Sequence, residues 1–227
     1  MTQTERLAIV IPDIGTVSGL LVAPDELTTL FVMAHGAGAG MNHSFMEAVA
    51  SELCRRGIAT LRYQFPYMEA GSRRPDRPPF AHAAVRAAVT TAARLRPGIP
   101  LLAGGKSFGA RMTTQVQAGQ PLPGVVGLVA FGFPLHPAGK PSAERGQQLT
   151  AVKVPILFLQ GQRDALADIG MMTTLARELG LQATLHVLPD ADHSFHVPVR
   201  SGRTDAQVLA EACDTMADWA KRLPLGR

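Results

Sequence analysis

The segment Gly105-Lys106-Ser107-Phe108-Gly109 decides the fold class of this chain. The apolar run at residues 100–103 precedes it and is typical of a buried strand, and a helical pattern resumes at about Ala110. A serine between a strand and a helix occupies a sharp, strained turn, and glycines on both sides let the two elements approach without a Cβ clash. The pattern predicts a serine whose Oγ projects above a sheet; a glycine-rich turn or a phosphate-binding loop is the alternative.

Strand-like and helix-like segments alternate on both sides of this turn. Short apolar runs typical of strands lie at residues 6–11, 17–23, 29–34, 58–61, 125–131, 154–159 and 182–188. Helical patterns lie at 46–53, 81–95, 166–179 and 204–222, and one face of the last is predicted to carry Ala206, Leu209, Ala210, Cys213, Met216, Ala217 and Ala220. The alternation predicts an α/β fold with a mainly parallel central sheet, helices on both faces and a single domain over residues 1–227.

Two segments have no clear pattern. Residues 62–79 are rich in proline and arginine and are predicted to form an irregular loop. Residues 134–152 are polar and contain proline, with room for one short helix. That length leaves little material for a lid domain over the edge of the sheet.

Composition and charge exclude several functional classes. The chain is 46% hydrophobic and 18% charged, which suits a packed core and argues against disorder. A net charge of +4 without a run of like charges argues against a nucleic-acid partner. The sequence has no signal-peptide pattern and no apolar run of roughly 18–20 residues, so we expect no membrane contact and a cytoplasmic location. Cys54 and Cys213 are expected to be buried thiols, and no residue group has metal-ligand spacing.

Asp164 and His193 are placed to activate Ser107. A serine hydroxyl is a weak nucleophile at neutral pH, and it needs a base that a carboxylate orients. Asp164 follows the strand that ends near Leu159, and His193 follows the next strand, 29 positions later. That interval holds one helix and one strand. Both side chains are therefore expected at the edge of the sheet that carries Ser107.

Other residues compete for these two roles. His196 is the alternative base, because it follows the same strand as His193. The remaining candidates have local explanations: Asp168 in the first turn of a helix, Asp190 and Asp192 as turn residues, His186 within a strand and His82 on a helix surface.

An oxyanion at the reacting carbonyl needs two backbone donors. The amide of Phe108 lies at the start of the helix after Ser107, so it is the first candidate. The loop His35-Gly36-Ala37-Gly38 follows a central strand, and the amide of Ala37 is the second candidate, with Gly38 as the alternative. A phosphate-binding loop would match G-x-x-x-x-G-K-[ST] or G-x-G-x-x-G, and this loop matches neither. His35 is expected to hold the loop by hydrogen bonds.

Five segments together resemble the α/β-hydrolase superfamily, and they fall in its expected order. They are MAHGAGAGMNHSFM (33–46), GGKSFGARM (104–112), GFPLHP (132–137), QGQRDAL (160–166) and DADHSFHVP (190–198). Within the superfamily the chain resembles a small, lidless branch related to dienelactone hydrolases, and the KANL/Tex-like group. The resemblance implies an α/β-hydrolase fold without a lid and the order serine, aspartate, histidine. Two departures are Ser107, where true dienelactone hydrolases have cysteine, and Ala110, where a second glycine is frequent.

These observations predict a serine hydrolase that cleaves a carboxylic ester or thioester through an acyl-enzyme. The substrate would be a small acyl compound, and the reaction would need no cofactor or metal. The alternative is a catalytically weak binding or scaffold protein with the same fold, because some members of the branch are regarded as interaction subunits.

Residues in the irregular loops are candidates for substrate binding. Tyr67, with Tyr63, Phe65 and Met68, is predicted to line an apolar wall, although such aromatic side chains more commonly pack in the core. Arg73, Arg74 and His136, with Lys140 and Arg200, are predicted to attract a carboxylate- or phosphate-bearing substrate, with solvated loop charges as the alternative.

Overall fold

The computed structural model describes residues 2–223 and follows the predicted alternation of strands and helices. The strands are β1 (Thr2–Ile11), β2 (Gly15–Pro24), β3 (Thr29–Ala34), β4 (Ile58–Tyr63), β5 (Leu101–Lys106), β6 (Val125–Phe131), β7 (Ile156–Gly161) and β8 (Ala183–Leu188). The α-helices are α1 (Ser44–Cys54), α2 (Pro66–Glu69), α3 (Pro78–Leu95), α4 (Phe108–Gly119), α5 (Ile169–Leu179) and α6 (Asp205–Lys221). Short 3₁₀ helices cover Glu144–Ala151, Gly180–Gln182 and Val199–Ser201. Of the domain predicted over residues 1–227, residue 1 and residues 224–227 lie outside the described part.

The strands form one sheet in the order β1-β2-β4-β3-β5-β6-β7-β8. The six strands from β4 to β8 in this order run parallel, which confirms the predicted mainly parallel sheet. At one edge β1 and β2 form an antiparallel hairpin that extends beyond the predicted runs, because the two strands pair from Thr2 opposite Pro24 to Ile11 opposite Gly15. The other edge is β8. In such a sheet the loops that follow the parallel strands all emerge at the carboxyl ends of these strands, and ligands bind there.

Helices cover both faces of the sheet. All six residues of β3 are buried, and its side chains alternate between two apolar clusters. Phe31 and Met33 pack in the cluster that contains the apolar residues of α1 and α6. Leu30 and Val32 pack in the cluster that contains those of α3, α4 and α5. Burial on both faces explains why β3 reads as an unbroken apolar run.

The buried face of α6 differs from the predicted one. Ala206 is exposed, whereas Val208, Ala212 and Trp219 are buried along with the predicted Cys213, Met216, Ala217 and Ala220. Alanine has little apolar surface, so a pattern rich in alanine does not determine which side of a helix turns inward. Val208 and Trp219 bury more apolar area, and they set the orientation.

The connections between β4 and α3 and between β6 and β7 contain only short helices. The loop predicted between β4 and α3 contains the one-turn helix α2, which begins at Pro66. Proline suits the first position of a helix because its φ is already helical and its missing N–H would be unpaired there. Between β6 and β7 the regular structure is a single 3₁₀ helix, so the described chain has no lid domain. Within residues 2–223 no helix combines the length and hydropathy that a bilayer span requires.

The turn between β5 and α4 depends on the absence of side chains at two glycines. A Cβ built at Gly105, where φ is +148°, would lie 2.0 Å from the carbonyl oxygen of Ala34 in β3. A Cβ at Gly109 would lie 2.5 Å from the same oxygen. Both glycines therefore let the end of β5 and the start of α4 pack against the backbone of β3. The strand β5 ends at Lys106, and α4 begins at Phe108, two residues before the start predicted at about Ala110.

We expect Gly105→Ala to destabilise the protein severely, by ~3 kcal/mol or more, because the new Cβ meets backbone and the φ angle is unfavourable for alanine. Gly119→Ala is the matched control, since no atom of the described residues lies within 4 Å of a Cβ at this position in the last turn of α4. The control should leave the free energy of unfolding unchanged or raise it by ~0.5–1 kcal/mol through helix propensity. Urea unfolding of both variants tests this; equal stabilities would contradict the packing argument.

Candidate active site

Three side chains from three loops form a hydrogen-bonded chain at the carboxyl ends of the parallel strands. Ser107 lies between β5 and α4, Asp164 follows β7, and His193 follows β8. The Nε2 of His193 lies 2.8 Å from the Oγ of Ser107, and its Nδ1 lies 2.7 Å from the Oδ2 of Asp164. A neutral imidazole that donates from Nδ1 to the carboxylate and accepts at Nε2 fits both contacts. The sequence singled out these three residues, and the fold brings them together.

Ser107 is held in a strained backbone conformation. Its φ of 49° and ψ of −111° are unusual for a residue with a side chain and cost of order 1–3 kcal/mol. Two backbone hydrogen bonds maintain the turn: the amide of Ser107 donates to the carbonyl of Phe131, and its carbonyl accepts from the amide of Arg111. The strain therefore persists because β6 and α4 both hold the residue, with Oγ directed at His193.

Asp164 is buried and fully bonded. In addition to the imidazole, its Oδ2 accepts a hydrogen bond from Gln160 Nε2 at 2.6 Å, and its Oδ1 accepts from the amide of Leu166 at 2.7 Å. Gln160 is itself buried, and its Oε1 accepts from the amide of Phe133 at 2.9 Å. Sequence reasoning did not assign Gln160 a role, although it begins the QGQRDAL segment. Its amide fixes the carboxylate, which in turn fixes the tautomer of His193.

The loop of His193 is shaped by Asp192, as predicted for a turn residue. The Oδ1 of Asp192 accepts hydrogen bonds from the amides of Ser194 and His196, at 2.7 and 3.0 Å. The alternative base His196 is exposed, and its ring pairs with Asp205 at 2.9 Å. That hydrogen bond raises the pKa of His196. His193, and not His196, therefore contacts Ser107.

The two predicted oxyanion donors lie beside Ser107. Phe108 is the first residue of α4, a position whose N–H has no partner within the helix. Ala37 lines the same cavity as Ser107 and His193. The amide of the alternative donor, Gly38, is already bonded to the hydroxyl of Tyr67 at 3.0 Å. Ala37 is therefore the better candidate of the two.

His35 holds the loop that carries Ala37. Its side chain is buried, and a neutral ring satisfies both contacts: Nδ1 donates to the carbonyl of Gly36 at 2.7 Å, and Nε2 accepts from the amide of Phe65 at 3.1 Å. Burial lowers the pKa of His35 from 6.5 to about 4, which keeps the ring neutral at physiological pH. The ring also packs edge-on against Phe65, with centroids 4.8 Å apart.

The predicted substrate-binding residues do not line the cavity at Ser107. Tyr67 is buried, and its hydroxyl is used by Gly38, so it supports the loop from behind. His136 is also buried; its Nδ1 contacts the carbonyl of Pro137 and its Nε2 accepts from the amide of Asp168. Arg73 and Arg74 are exposed in the segment before α3. The burial of Tyr67 and the exposure of Arg73 and Arg74 fit the two alternatives, core packing and solvated loop charges, and substrate binding by these residues stays a prediction.

The cavity has a volume of about 360 Å³ and a mainly apolar wall. Its wall includes the loop at residues 36–39 and the side chains of Phe45, Met46 and Leu166. Lys106 also lines it, and its ammonium donates a hydrogen bond to the backbone carbonyl of His193. Sequence reasoning missed Lys106, whose position directly before Ser107 was the only available signal.

Comparisons with known proteins support the fold. A family model described as an alpha/beta hydrolase domain matches residues 27–221. Dienelactone hydrolase from Anabaena variabilis superposes with a TM-score of 0.77 at 21% identity, over 98% of both chains. An alpha-beta serine hydrolase homologue from Coxiella burnetii gives 0.75 at 20% identity, over 94% of this chain and 96% of that chain. A serine hydrolase without lid from Xanthomonas campestris gives 0.71 at 21% identity, over 94% and 95%. These likenesses confirm the predicted fold, and at these identities they establish the fold alone.

We expect His35 to cause part of the protein's loss of stability in acid. Between about pH 6.5 and pH 4 the unfolded chain protonates this residue and the folded chain does not, so stability falls as the pH falls through that window. The shift corresponds to a loss on the order of 3 kcal/mol. In His35→Gln, urea unfolding at a series of pH values should have a shallower dependence over this range.

His196→Gln provides a control of opposite sign. The pKa of His196 is raised in the folded protein, so its contribution to stability is present at low pH and lost as the pH rises. A His35→Gln variant whose stability varies with pH as steeply as that of the unmodified protein would contradict a buried neutral His35.

Proposed function

This chain belongs to the α/β-hydrolase domain family, and on that premise we propose that it is a serine hydrolase that cleaves carboxylic esters or thioesters. The observation that carries the proposal is the continuous hydrogen-bonded chain from Ser107 through His193 to Asp164, whose first member lines an apolar cavity. A hydrogen-bonded nucleophile, base and orienting acid are the groups that acyl transfer needs.

In the first half-reaction Ser107 is acylated. As Oγ attacks the carbonyl carbon of the substrate, Nε2 of His193 takes the hydroxyl proton, and the carbonyl oxygen becomes an oxyanion. The amides of Phe108 and Ala37 would donate hydrogen bonds to that oxygen. The tetrahedral intermediate then collapses. The bond to the leaving alcohol or thiol breaks, and the imidazolium returns the proton to the leaving group.

In the second half-reaction water replaces the leaving group. His193 takes a proton from a water molecule as the water oxygen attacks the acyl carbon, and the imidazolium then returns the proton to Oγ as the acid departs. Asp164 accepts the hydrogen bond from Nδ1 and stabilises the imidazolium in both halves, and Gln160 and the amide of Leu166 hold its carboxylate in place. The residues of this chain and water supply every proton donor, proton acceptor and nucleophile in these steps.

The cavity favours a neutral substrate of modest size. Its volume of about 360 Å³ lies at the small end of the range for ligand sites. Neither Arg73 nor Arg74 is among the residues that line it, and the ammonium of Lys106 is bonded to the protein, so within residues 2–223 no unbonded lysine or arginine lines it to bind a carboxylate or phosphate. The apolar side chains of Phe45 and Met46 suit an uncharged acyl or alkyl group.

We expect a fluorophosphonate probe to label the purified protein at Ser107, and we expect release of p-nitrophenol from short acyl esters. Ser107→Ala should abolish both, because Ser107 supplies the only hydroxyl that is bonded to His193 within residues 2–223. Ser194→Ala is the matched control, since Ser194 is exposed on the wall of the same cavity without a bond to an imidazole. Its labelling should match that of the unmodified protein.

The labelling experiment also separates the proposal from its alternative. A folded protein that neither labels nor turns over esters would overturn the acyl-enzyme mechanism and favour a binding or scaffold role for the fold.

Asp164→Asn should lower kcat by about 10²–10⁴-fold with little change in KM, because an amide no longer orients and stabilises the imidazolium. Asp168→Asn is a control with the same chemical change nearby. Asp168 caps α5 by accepting a hydrogen bond from the amide of Met171, and asparagine caps helices equally well. Steady-state kinetics with p-nitrophenyl butyrate measure both variants; a kcat for Asp164→Asn within threefold of the control would rule out the proposed role.

A further inference from the structure

Lys106 places an ammonium group beside the candidate active site, where it has no ion-pair partner among residues 2–223. Its Nζ donates a hydrogen bond to the backbone carbonyl of His193. The same nitrogen lies 4.9 Å from the ring centroid of Phe195 and 5.3 Å from that of Phe45. The two rings meet edge to face, with centroids 5.5 Å apart, and together they form an apolar seat for the cation.

Removing this ammonium from water costs free energy that a neutral side chain would not cost. Among residues 2–223 no carboxylate lies within ion-pair distance of the ammonium, and Asp164 and Asp192 attract it only from farther away. An unpaired cation is expensive to remove from water, whereas methionine would fill a similar apolar space without that penalty. A half-buried lysine between two aromatic rings therefore points to a requirement for its charged hydrogen bond.

The sheet indicates what that bond does. His193 follows β8, which is an edge strand and is only partly buried, whereas Lys106 ends the central strand β5. Asp164 holds the ring of His193, but not its backbone. We propose that Lys106 is a positioning residue whose ammonium ties the backbone of His193 to the centre of the sheet and so sets the angle at which the imidazole meets Ser107.

The protonation state of Lys106 links this tie to pH. Loss of solvation lowers the pKa of Lys106 to about 8, against the opposing attraction of Asp164 and Asp192. The other titratable groups that face the site are His193 and His43, which line the same cavity. Above pH 8 the neutral amine still donates, but the bond loses its charge assistance and the contact with the rings loses its cation. Ester turnover is therefore expected to decline above about pH 8.

Stability changes in the opposite direction over the same range. The unfolded chain keeps the lysine proton up to about pH 10.5, whereas the folded chain releases it from about pH 8. The unfolded state therefore binds more protons in this window, and the contribution of Lys106 to stability rises with pH. A decline in activity over this range therefore does not come from the effect of Lys106 on the stability of the fold, and thermal melts at the same pH values show whether the protein stays folded.

The test compares Lys106→Met and Lys106→Arg with the unmodified protein. Arg86→Met is the matched control, because Arg86 also donates to backbone carbonyls, those of Val116 and Gln120, from a position away from the cavity. The first measurement is hydrogen exchange at residues 190–197. We expect exchange at least tenfold faster in Lys106→Met, and unchanged rates in Lys106→Arg and Arg86→Met.

Kinetics with p-nitrophenyl butyrate form the second measurement. Lys106→Met should lose about 10- to 100-fold in kcat with KM within threefold, and its rate should not decline above pH 8. Lys106→Arg should retain most of the activity and also lack the alkaline decline, because arginine stays protonated. Thermal melts from pH 8 to 10.5 should show that the unmodified protein gains stability relative to Lys106→Met.

Unchanged exchange in Lys106→Met would overturn the proposal, and so would faster exchange with an unchanged kcat. The positioning role rests on the proposed function, but the hold on the loop does not. If the unmodified protein neither labels nor turns over esters, the proposed hydrolysis fails, and the exchange measurement still decides whether Lys106 holds the backbone of His193.

Discussion

Close backbone contact between β3 and the turn after β5 is the constraint on which the rest of the site depends. The carbonyl of Ala34 occupies the space that side chains at Gly105 and Gly109 would need. This approach lets Ser107 adopt its left-handed conformation between two elements that are each held by the sheet. It also brings the loop after β3, which carries Ala37, next to the nucleophile. The same contact therefore places both Oγ and one proposed oxyanion donor.

The other site residues extend from this point toward the edge of the sheet. Asp164 and His193 follow β7 and β8, which lie progressively farther from the centre. Hydrogen bonds connect these two residues to the rest of the sheet. Gln160 donates to the carboxylate of Asp164, and the ammonium of Lys106 donates to the backbone carbonyl of His193. Hydrogen bonds from the buried Gln160 and the half-buried Lys106 restrict the angles available to the imidazole. A site with little freedom needs little reorganisation during proton transfer.

Two ionisable side chains near the site, His35 and Lys106, have different roles. His35 is neutral and bonded at both nitrogens, so it acts as a structural link between the Ala37 loop and Phe65. Lys106 carries a charge between two aromatic rings, and its contacts with one carbonyl and the two rings offset only part of the cost of removing the ammonium from water. Neither group forms part of the proposed proton relay. Both are bonded to the backbone of loops that form the site, and the cavity wall is mainly apolar.

The sequence by itself determined the features that depend on local pattern and chain order. Apolar periodicity predicted the strands and most helices, because a strand buried on both faces leaves an unbroken apolar run, as in β3. The spacing of Ser107, Asp164 and His193 after successive strands predicted that they meet, because parallel strands present their ends at one edge. Only the tertiary structure decided which other side chains face that point. Lys106 turns toward His193 and Gln160 toward Asp164, whereas Tyr67 and His136 turn into the interior. The orientation of α6 was decided in the same way, by the large side chains of Val208 and Trp219. These directions follow from packing between residues far apart in the chain, and such contacts leave no periodic signal in the sequence.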